Sequence, residues 1–400
     1  YDSNDGLASY LLLNQGGLKF KESIAKSGVA SKARRRNRSS SIVDLDEDGS
    51  MDLVLTNNYG KVDVFSGSGE GLLEDKTSEW LDKSEMFGSS HLISDFNRDG
   101  HLDLFAFART SEFAKQLETS GVSREGLEES EAKRSAMAAG SRLWLGGEAG
   151  EFSRYDDKGS FSRAGWVHGA AEIDFNNDGM PDVYLTNGYL SKGTAKDYDG
   201  RFWRHDLYDS ETETKMDIAR LLRETGPGAF LKEDDQSWAP FQKNRLLANF
   251  GDDGFVDIAY LMGVSRELDG RATVAVDLNQ DGKLDLIALE IDSVEEKLNV
   301  KILENTITRA GNWIGVQLKP AKKRSAVGAR VRLIGEDFET VKTNVSGDAY
   351  SAQTPSMLHF GIGSATTVKA IEIVWADGVV SRMTSPGINR YHAFAPGEER

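Results

Sequence analysis

The sequence predicts an all-β chain, a β-propeller carrying helical insertions, with a small β-sandwich or barrel domain behind it. Three observations point there. Glycine is abundant, 41 of 400 residues against seven prolines, and much of it sits beside Asp and Asn, as tight turns between short strands require. One nine-residue pattern, Asp-x-[Asp/Asn]-x-Asp-Gly-x-x-Asp, occurs four times, each time between two short apolar runs. A strand, a glycine turn and a second short strand recur about 30 residues before each copy. Strands at this spacing, about four per unit, are the mark of propeller blades.

The units can be read in order. Leu12 to Phe20 is the first turn motif; Val64 to Gly69, Leu143 to Phe152 and Leu246 to Phe255 are its counterparts. The stretch Asn249 to Asp257 looks like a fifth Asp loop, but its place in the register makes it a hairpin turn. Two segments break the rhythm, at about 110–140 and about 191–238, and are expected to project as insertions. The first is rich in Glu, Ala and Lys and reads as helical; the second contains a helical stretch, Glu211 to Glu224, stopped by Gly226-Pro227-Gly228. The propeller is expected to fill residues 1–310 and the C-terminal domain 311–400.

Composition narrows the function. A formal charge of −16, from 64 acidic and 48 basic side chains, is the wrong sign for a nucleic-acid binder. The chain has no cysteine, so disulfides, thiolate zinc sites and a Cys nucleophile are excluded. No apolar stretch reaches the length of a membrane span. Tyr1 to Gly6 reads as the middle of a blade, and the expectation is that blade sequence precedes it.

The acidity is uneven, and four short loops are dense in Asp. They comprise Asp44, Asp46, Asp48, Ser50 and Asp52; Asp95, Asn97, Asp99, His101 and Asp103; Asp174, Asn176, Asp178, Met180 and Asp182; and Asp277, Asn279, Asp281, Lys283 and Asp285. Positions 1, 3, 5 and 9 offer side-chain oxygen, position 7 offers its carbonyl, and glycine at position 6 permits the sharp turn. Hard oxygens converging from a flexible loop suit Ca²⁺, so about four ions are expected, with Kd on the order of 10⁻⁵ to 10⁻³ M. The bidentate Glu that an EF-hand has at position 12 is replaced by Leu55, Ala106, Leu185 and Ala288, so these are β-type loops.

The Asp loops with their upstream turns resemble FG-GAP/VCBS repeats, the blades of integrin-α-like propellers. The C-terminal stretch is similar to the ASPIC/UnbV domain through Asn312-Trp313-Ile314-Gly315, Ala326-Val327-Gly328-Ala329-Arg330-Val331, Tyr350-Ser351-Ala352-Gln353, Leu358-His359-Phe360-Gly361 and Ile373-Val374-Trp375-Ala376-Asp377-Gly378. The last departs from the family's Trp-Pro-Gly. This pairing resembles the cartilage acidic protein-like family. The resemblance implies a secreted, cell-surface or periplasmic calcium-binding protein with a role in adhesion, and it brings no catalytic residues.

Six residues before each loop stand Arg38, Ser89, His168 and Arg271. On the innermost strands they would form a ring at one depth of the axial channel, able to hold a carboxylate, sulfate or phosphate; the plainer expectation is solvated channel residues. The basic run Lys32 to Arg38 and the cluster Tyr198, Phe202, Trp203 and Tyr208 with Arg201 and Arg204 are weighed as partner contacts, against a solvated loop and a pin for the insertion. The function expected is a binding or adhesion module for extracellular protein or carbohydrate. The rivals are a secreted glycan-active enzyme with an axial-channel site and a structural, self-assembling surface protein. No Gly-x-Ser-x-Gly elbow or His-x-x-x-His pair supports the enzyme.

Overall fold

A computed structural model describes residues 6–69, 71–121, 125–206, 235–321 and 325–399. After a hairpin of β1 (Leu12–Asn14) and β2 (Phe20–Glu22), the chain lays down four antiparallel sheets. The first is β3 (Asn37–Val43), β4 (Asp52–Asn57), β5 (Val62–Gly67) and β6 (Leu73–Asp75), and α1 (Thr77–Trp80) follows it. The second is β7 (Gly88–Ser94), β8 (Asp103–Ala108), β9 (Arg142–Gly146) and β10 (Phe152–Arg154). The third is β11 (Val167–Ile173), β12 (Asp182–Asn187), β13 (Arg245–Asn249) and β14 (Phe255–Asp257). The fourth has three strands, β15 (Asp269–Val276), β16 (Asp285–Asp292) and β17 (Lys297–Leu303). Asn249 and Phe255 pair across a hairpin, as their register requires.

These sheets stack as propeller blades. The first strands β3, β7, β11 and β15 lie side by side, and the core fills the gaps between neighbouring sheets. Period-two alternation explains the continuous apolar runs, because both faces of a blade are buried. On β8, Leu104, Ala106 and Ala108 pack toward the first blade while Phe105 and Phe107 pack toward the third. On β12, Val183 and Leu185 face backward and Tyr184 forward. On β17, at the end of the fourth sheet, one face leaves Leu298, Val300 and Ile302 exposed.

The first insertion is helical: α2 (Glu112–Ser120) and α3 (Glu128–Met137). Ser111 caps α2 by accepting from Ala114 N–H at 3.1 Å, and Gly121 closes it with φ 64°. In the second insertion, 3-10 turns span Asp199–Asp206; the expected Glu211 to Glu224 helix and Tyr208 lie outside the described residues. Trp203 is buried against Phe87, Leu117 and Met137, so one insertion is pinned to the other. The basic run is likewise tied inward, with Lys32 and Arg35 both paired to the buried Asp63 at 2.8 and 2.7 Å.

The C-terminal strands form a β-sandwich, with no closed barrel. One sheet orders β21 (Met357–Gly363), β18 (Asn312–Leu318) and β24 (Arg390–Phe394). The other orders β20 (Glu339–Thr343), β19 (Arg330–Ile334), β22 (Ala370–Val374) and β23 (Val380–Thr384). Ile314, Val316, Val331, Leu333, Phe360, Ile371, Ile373 and Trp375 fill the space between the sheets. The link from β20 to β21 leaves this sandwich and enters the space beside the inner strands. There Val345 joins the core between the first two blades and Ala349 the core between the second and third. Ala349 N–H donates to the His91 carbonyl at 3.1 Å.

Two predictions follow from that inserted link. Gly347 has φ 93°, and a Cβ there would collide with the Ser40 carbonyl. Gly347→Ala should lower stability by about 2–4 kcal/mol in urea unfolding, and an unchanged midpoint would show the link is not seated there. Asp348 is buried, and burial pushes its pKa from 3.8 up to about 6. A raised carboxylate pKa contributes stability that is complete at low pH and lost as pH rises through about 6. Asp348→Asn should therefore match the parent near pH 4 and be more stable by about 1–3 kcal/mol above pH 7, read from paired melts.

Candidate metal loops and axial ring

Each Asp loop joins an inner strand to the second strand of its blade, and the four share one backbone. The non-glycine residue at position 4 is left-handed in all of them, with φ of 62° at Glu47, 58° at Arg98, 57° at Asn177 and 61° at Gln280. The glycine at position 6 follows with φ between 85° and 91°, in a region where a side chain would be strained. Its N–H donates to Oδ2 of the first Asp, at 3.2 Å in the first and second loops and 2.9 Å in the third and fourth. The N–H at position 7 donates to the position-5 carboxylate, for example Ser50 to Asp48 at 2.6 Å and Met180 to Asp178 at 2.8 Å.

The ninth residue does a different job. Asp52 Oδ2 accepts from Leu45 N–H at 2.7 Å and Oδ1 from Gly67 N–H at 2.9 Å. Asp103 repeats this with Phe96 and Gly146, Asp182 with Phe175 and Asn249, and Asp285 with Leu278 and Asn305. This buried carboxylate therefore ties the start of its own loop to the far end of the blade's third strand. The fourth blade lacks an outer strand because Asn305 takes the hairpin position and the chain then leaves for the sandwich. Each oxygen keeps a second lone pair, the one a cation would use.

The donor set fits a hard cation. In the first loop, oxygens of Asp44, Asp46 and Asp48 lie within 4.8 Å of one another, and Asp44 Oδ1 is buried without a hydrogen-bond partner. Burial, with neighbouring carboxylates adding to it, pushes the pKa of Asp95 up to about 6, of Asp52 and Asp174 to about 7 and of Asp182 to about 9. Buried carboxylates held this close need a positive charge to stay ionised.

Position 4 has no assigned role in the loop pattern, yet there three of the loops meet the sandwich. Glu47 pairs with Arg330 and, at 3.4 Å, with Arg332; Arg98 lies 4.8 Å from the centre of the Phe338 ring; Asn177 Oδ1 accepts from His359 Nε2 at 2.7 Å. His359, on β21, also stacks on Trp313 at 5.3 Å. First-position carboxylates are engaged too: Val341 N–H donates to Asp95 Oδ2 at 3.2 Å, and the Tyr391 hydroxyl donates to Asp277 Oδ2. The left-handed backbone, which turns these side chains out of the loop, has no signature in residue type beyond the glycine two places on.

At the opposite ends of the inner strands, Arg38, Ser89, His168 and Arg271 stand at equal depth. Each is the extra residue of a β-bulge, where pairing skips from Asn37 to Ser39, Gly88 to Ser90, Val167 to Gly169 and Gly270 to Ala272. A bulge turns one side chain out of the ladder. Ser89 donates to the Val167 carbonyl at 2.7 Å, and Arg271 donates to the carbonyls of Gly188, Gly270 and Tyr189. His168 Nε2 accepts from Trp166 Nε1 at 3.1 Å, which puts the imidazole proton on Nδ1. Burial and the nearby Arg271, Arg109 and Arg38 hold its pKa well below the usual range, so it is neutral. Tyr350, from the inserted link, stands among them: Arg38 donates to its hydroxyl at 2.7 Å, and its ring lies 5.7 Å from that of His168.

The ninth-position tie is open to test without metal. In chelator, Asp103→Ala strands two buried N–H groups and should cost about 2–4 kcal/mol in urea unfolding, with Asp103→Asn between it and the parent. An unchanged midpoint in Asp103→Ala would remove the tie from the account of blade closure.

Comparison with known proteins bears on the whole chain. Residues 44–106 match the family described as FG-GAP-like repeat, and residues 319–400 match that described as ASPIC and UnbV. Cartilage acidic protein 1 of Mus musculus is 23% identical over 378 residues, covering 92% of this chain and 46% of that protein. The Homo sapiens protein of the same name is 22% identical over 383 residues, covering 94% and 46%. The chain thus spans about half the length of the curated relatives it matches. A solved structure of a candidate glycosidase from Bacteroides thetaiotaomicron overlaps with TM-score 0.23 at 13% identity, covering 46% of this chain and 56% of that one. The four blades described, their shared Asp loops and the C-terminal sandwich accord with these matches: the chain carries an FG-GAP-like repeat and an ASPIC and UnbV domain, and is similar to cartilage acidic protein 1.

Proposed function

We propose that this chain is an extracellular, calcium-pinned binding module of the adhesion type. The observation that carries the metal part is the recurrence of one loop geometry in four blades, with the buried Asp44 Oδ1, which has no hydrogen-bond partner, beside Asp46 and Asp48. Side-chain oxygens at positions 1, 3, 5 and 9 and the carbonyl at position 7 would hold each ion. A bound cation would neutralise carboxylates that burial leaves poorly solvated, so its work is structural.

The loops engage the sandwich through Glu47, Arg98, Asn177, Asp95 and Asp277, so loop order and domain docking are coupled. Four ions would bring the formal charge from −16 to −8. The extracellular setting and the adhesion role rest on the family resemblance and the matched relatives. Neither the cysteine-free composition nor the lack, among the described residues, of a helix long and apolar enough to cross a membrane stands against them. The partner expected is extracellular protein or carbohydrate, met at the propeller end away from the metal loops.

Calorimetric titration with calcium, paired with thermal melts in calcium and in chelator, tests the reading. About four ions should bind, and chelation should lower the melting temperature, since a ligand at about 100 times its Kd contributes about 2.7 kcal/mol per site. Absence of heat together with an unmoved melting temperature would reduce the loops to ordinary turns.

A further inference from the structure

The propeller end away from the Asp loops holds a cavity of about 220 Å³, bordered by both insertions. Arg38 and Arg109 form its cationic wall. Arg109 donates to the backbone carbonyl of Asn58 at 3.1 Å and to that residue's side-chain carbonyl. Its guanidinium stands 5.2 Å from the centre of the Trp166 ring, and its buried Nε has no hydrogen-bond partner. Among the described residues, no carboxylate lies within 4.0 Å of either guanidinium. Burial lowers the Arg109 pKa to about 10, which leaves it charged at neutral pH.

Beside this charge runs an aromatic wall, with Trp166 buried under Arg109 and Tyr189 and Trp238 more open. Trp166 and Tyr189 lie with ring planes 15° apart and centroids 5.1 Å apart, and Trp238 stands 6.3 Å from Tyr189. The remaining polar feature is Asp199, which accepts from the Ser111 hydroxyl; the same hydroxyl oxygen accepts from Trp203 Nε1 at 3.0 Å.

We propose that this cavity binds a carboxylate-bearing sugar of the uronic-acid type, its carboxylate on Arg38 and Arg109 and its C–H face on Tyr189 and Trp238. Three alternatives fit less well. An inorganic anion would satisfy the guanidinium groups and leave the aromatic wall uncovered. An aromatic carboxylate would cover the wall and add no donor to Asp199 beyond Ser111, whereas sugar hydroxyls supply one. A neutral sugar would leave two unpaired guanidinium groups behind it. The volume lies below the roughly 300–1,000 Å³ of pockets for drug-sized ligands, so one ring is the unit recognised.

The metal loops lie at the other end, so this site is tested on calcium-replete chain, where its failure leaves the calcium reading untouched. Calorimetry is run with D-glucuronate, D-glucose, benzoate and a glucuronate-terminated disaccharide. Glucuronate should bind, with glucose and benzoate weaker by about tenfold or more. Arg38→Gln, at an exposed position, and Trp238→Ala should each weaken glucuronate by about tenfold while the melting temperature holds. Tighter binding of the disaccharide would identify a glycan chain as the source, and equal binding the free sugar acid. No glucuronate heat, equal binding of glucose, or full affinity in both variants would overturn the proposal.

Discussion

Each of the four blades described is closed by one buried carboxylate that accepts two backbone N–H bonds, one from its own turn and one from the end of the third strand. Without it the sharp loop would have no fixed relation to the outer half of the sheet, and two buried donors would be unpaired. The same carboxylate sits at the inner edge of an acidic turn whose oxygens crowd together. Blade closure and charge crowding thus share one side chain: the group that holds the sheet also adds to the local negative charge. A fold built on this repeat gains a strong geometric constraint and inherits a demand for positive charge.

That demand is partly met from within the chain. Arg330 and Arg332 come from the sandwich to Glu47 in the first loop, and the Tyr391 hydroxyl and the Val341 N–H come to first-position carboxylates in the fourth and second. The sandwich is therefore more than an appended domain. Its inserted link occupies space along the inner strands, and its tyrosine reaches the bulge residues at the far end. The propeller presents one end to its own C-terminal domain and leaves the other, with its insertions and aromatic cavity, facing outward.

Much of this was legible in the residues. The four loops, the strand on either side of each and the outer hairpins follow from spacing alone, because turn chemistry and period-two burial are local properties. Equal depth for Arg38, Ser89, His168 and Arg271 also follows from spacing. What stayed hidden depends on distant contacts. No local pattern says that position 4 is left-handed and faces another domain, or that Asp52 and its counterparts bond the backbone on both oxygens. Nor could the sequence say that Tyr350 would lie beside Arg38, 312 residues away in the chain. For the aromatic residues of the second insertion the sequence leaves both a partner contact and a pin open, and long-range packing makes Trp203 a pin by burying it against the first insertion.

The bulges at the axis have a consequence for how such proteins diversify. An extra residue in a strand is one the hydrogen-bond ladder does not use, so its side chain can change without breaking pairing on either side. Arginine, serine, histidine and arginine occupy the four positions here, in sheets that otherwise keep one register. The scaffold thereby separates two inheritances: a ladder that must be preserved, and a set of axial positions free to drift. New specificity at the axis can arise one blade at a time, by single substitutions that leave the architecture as it was.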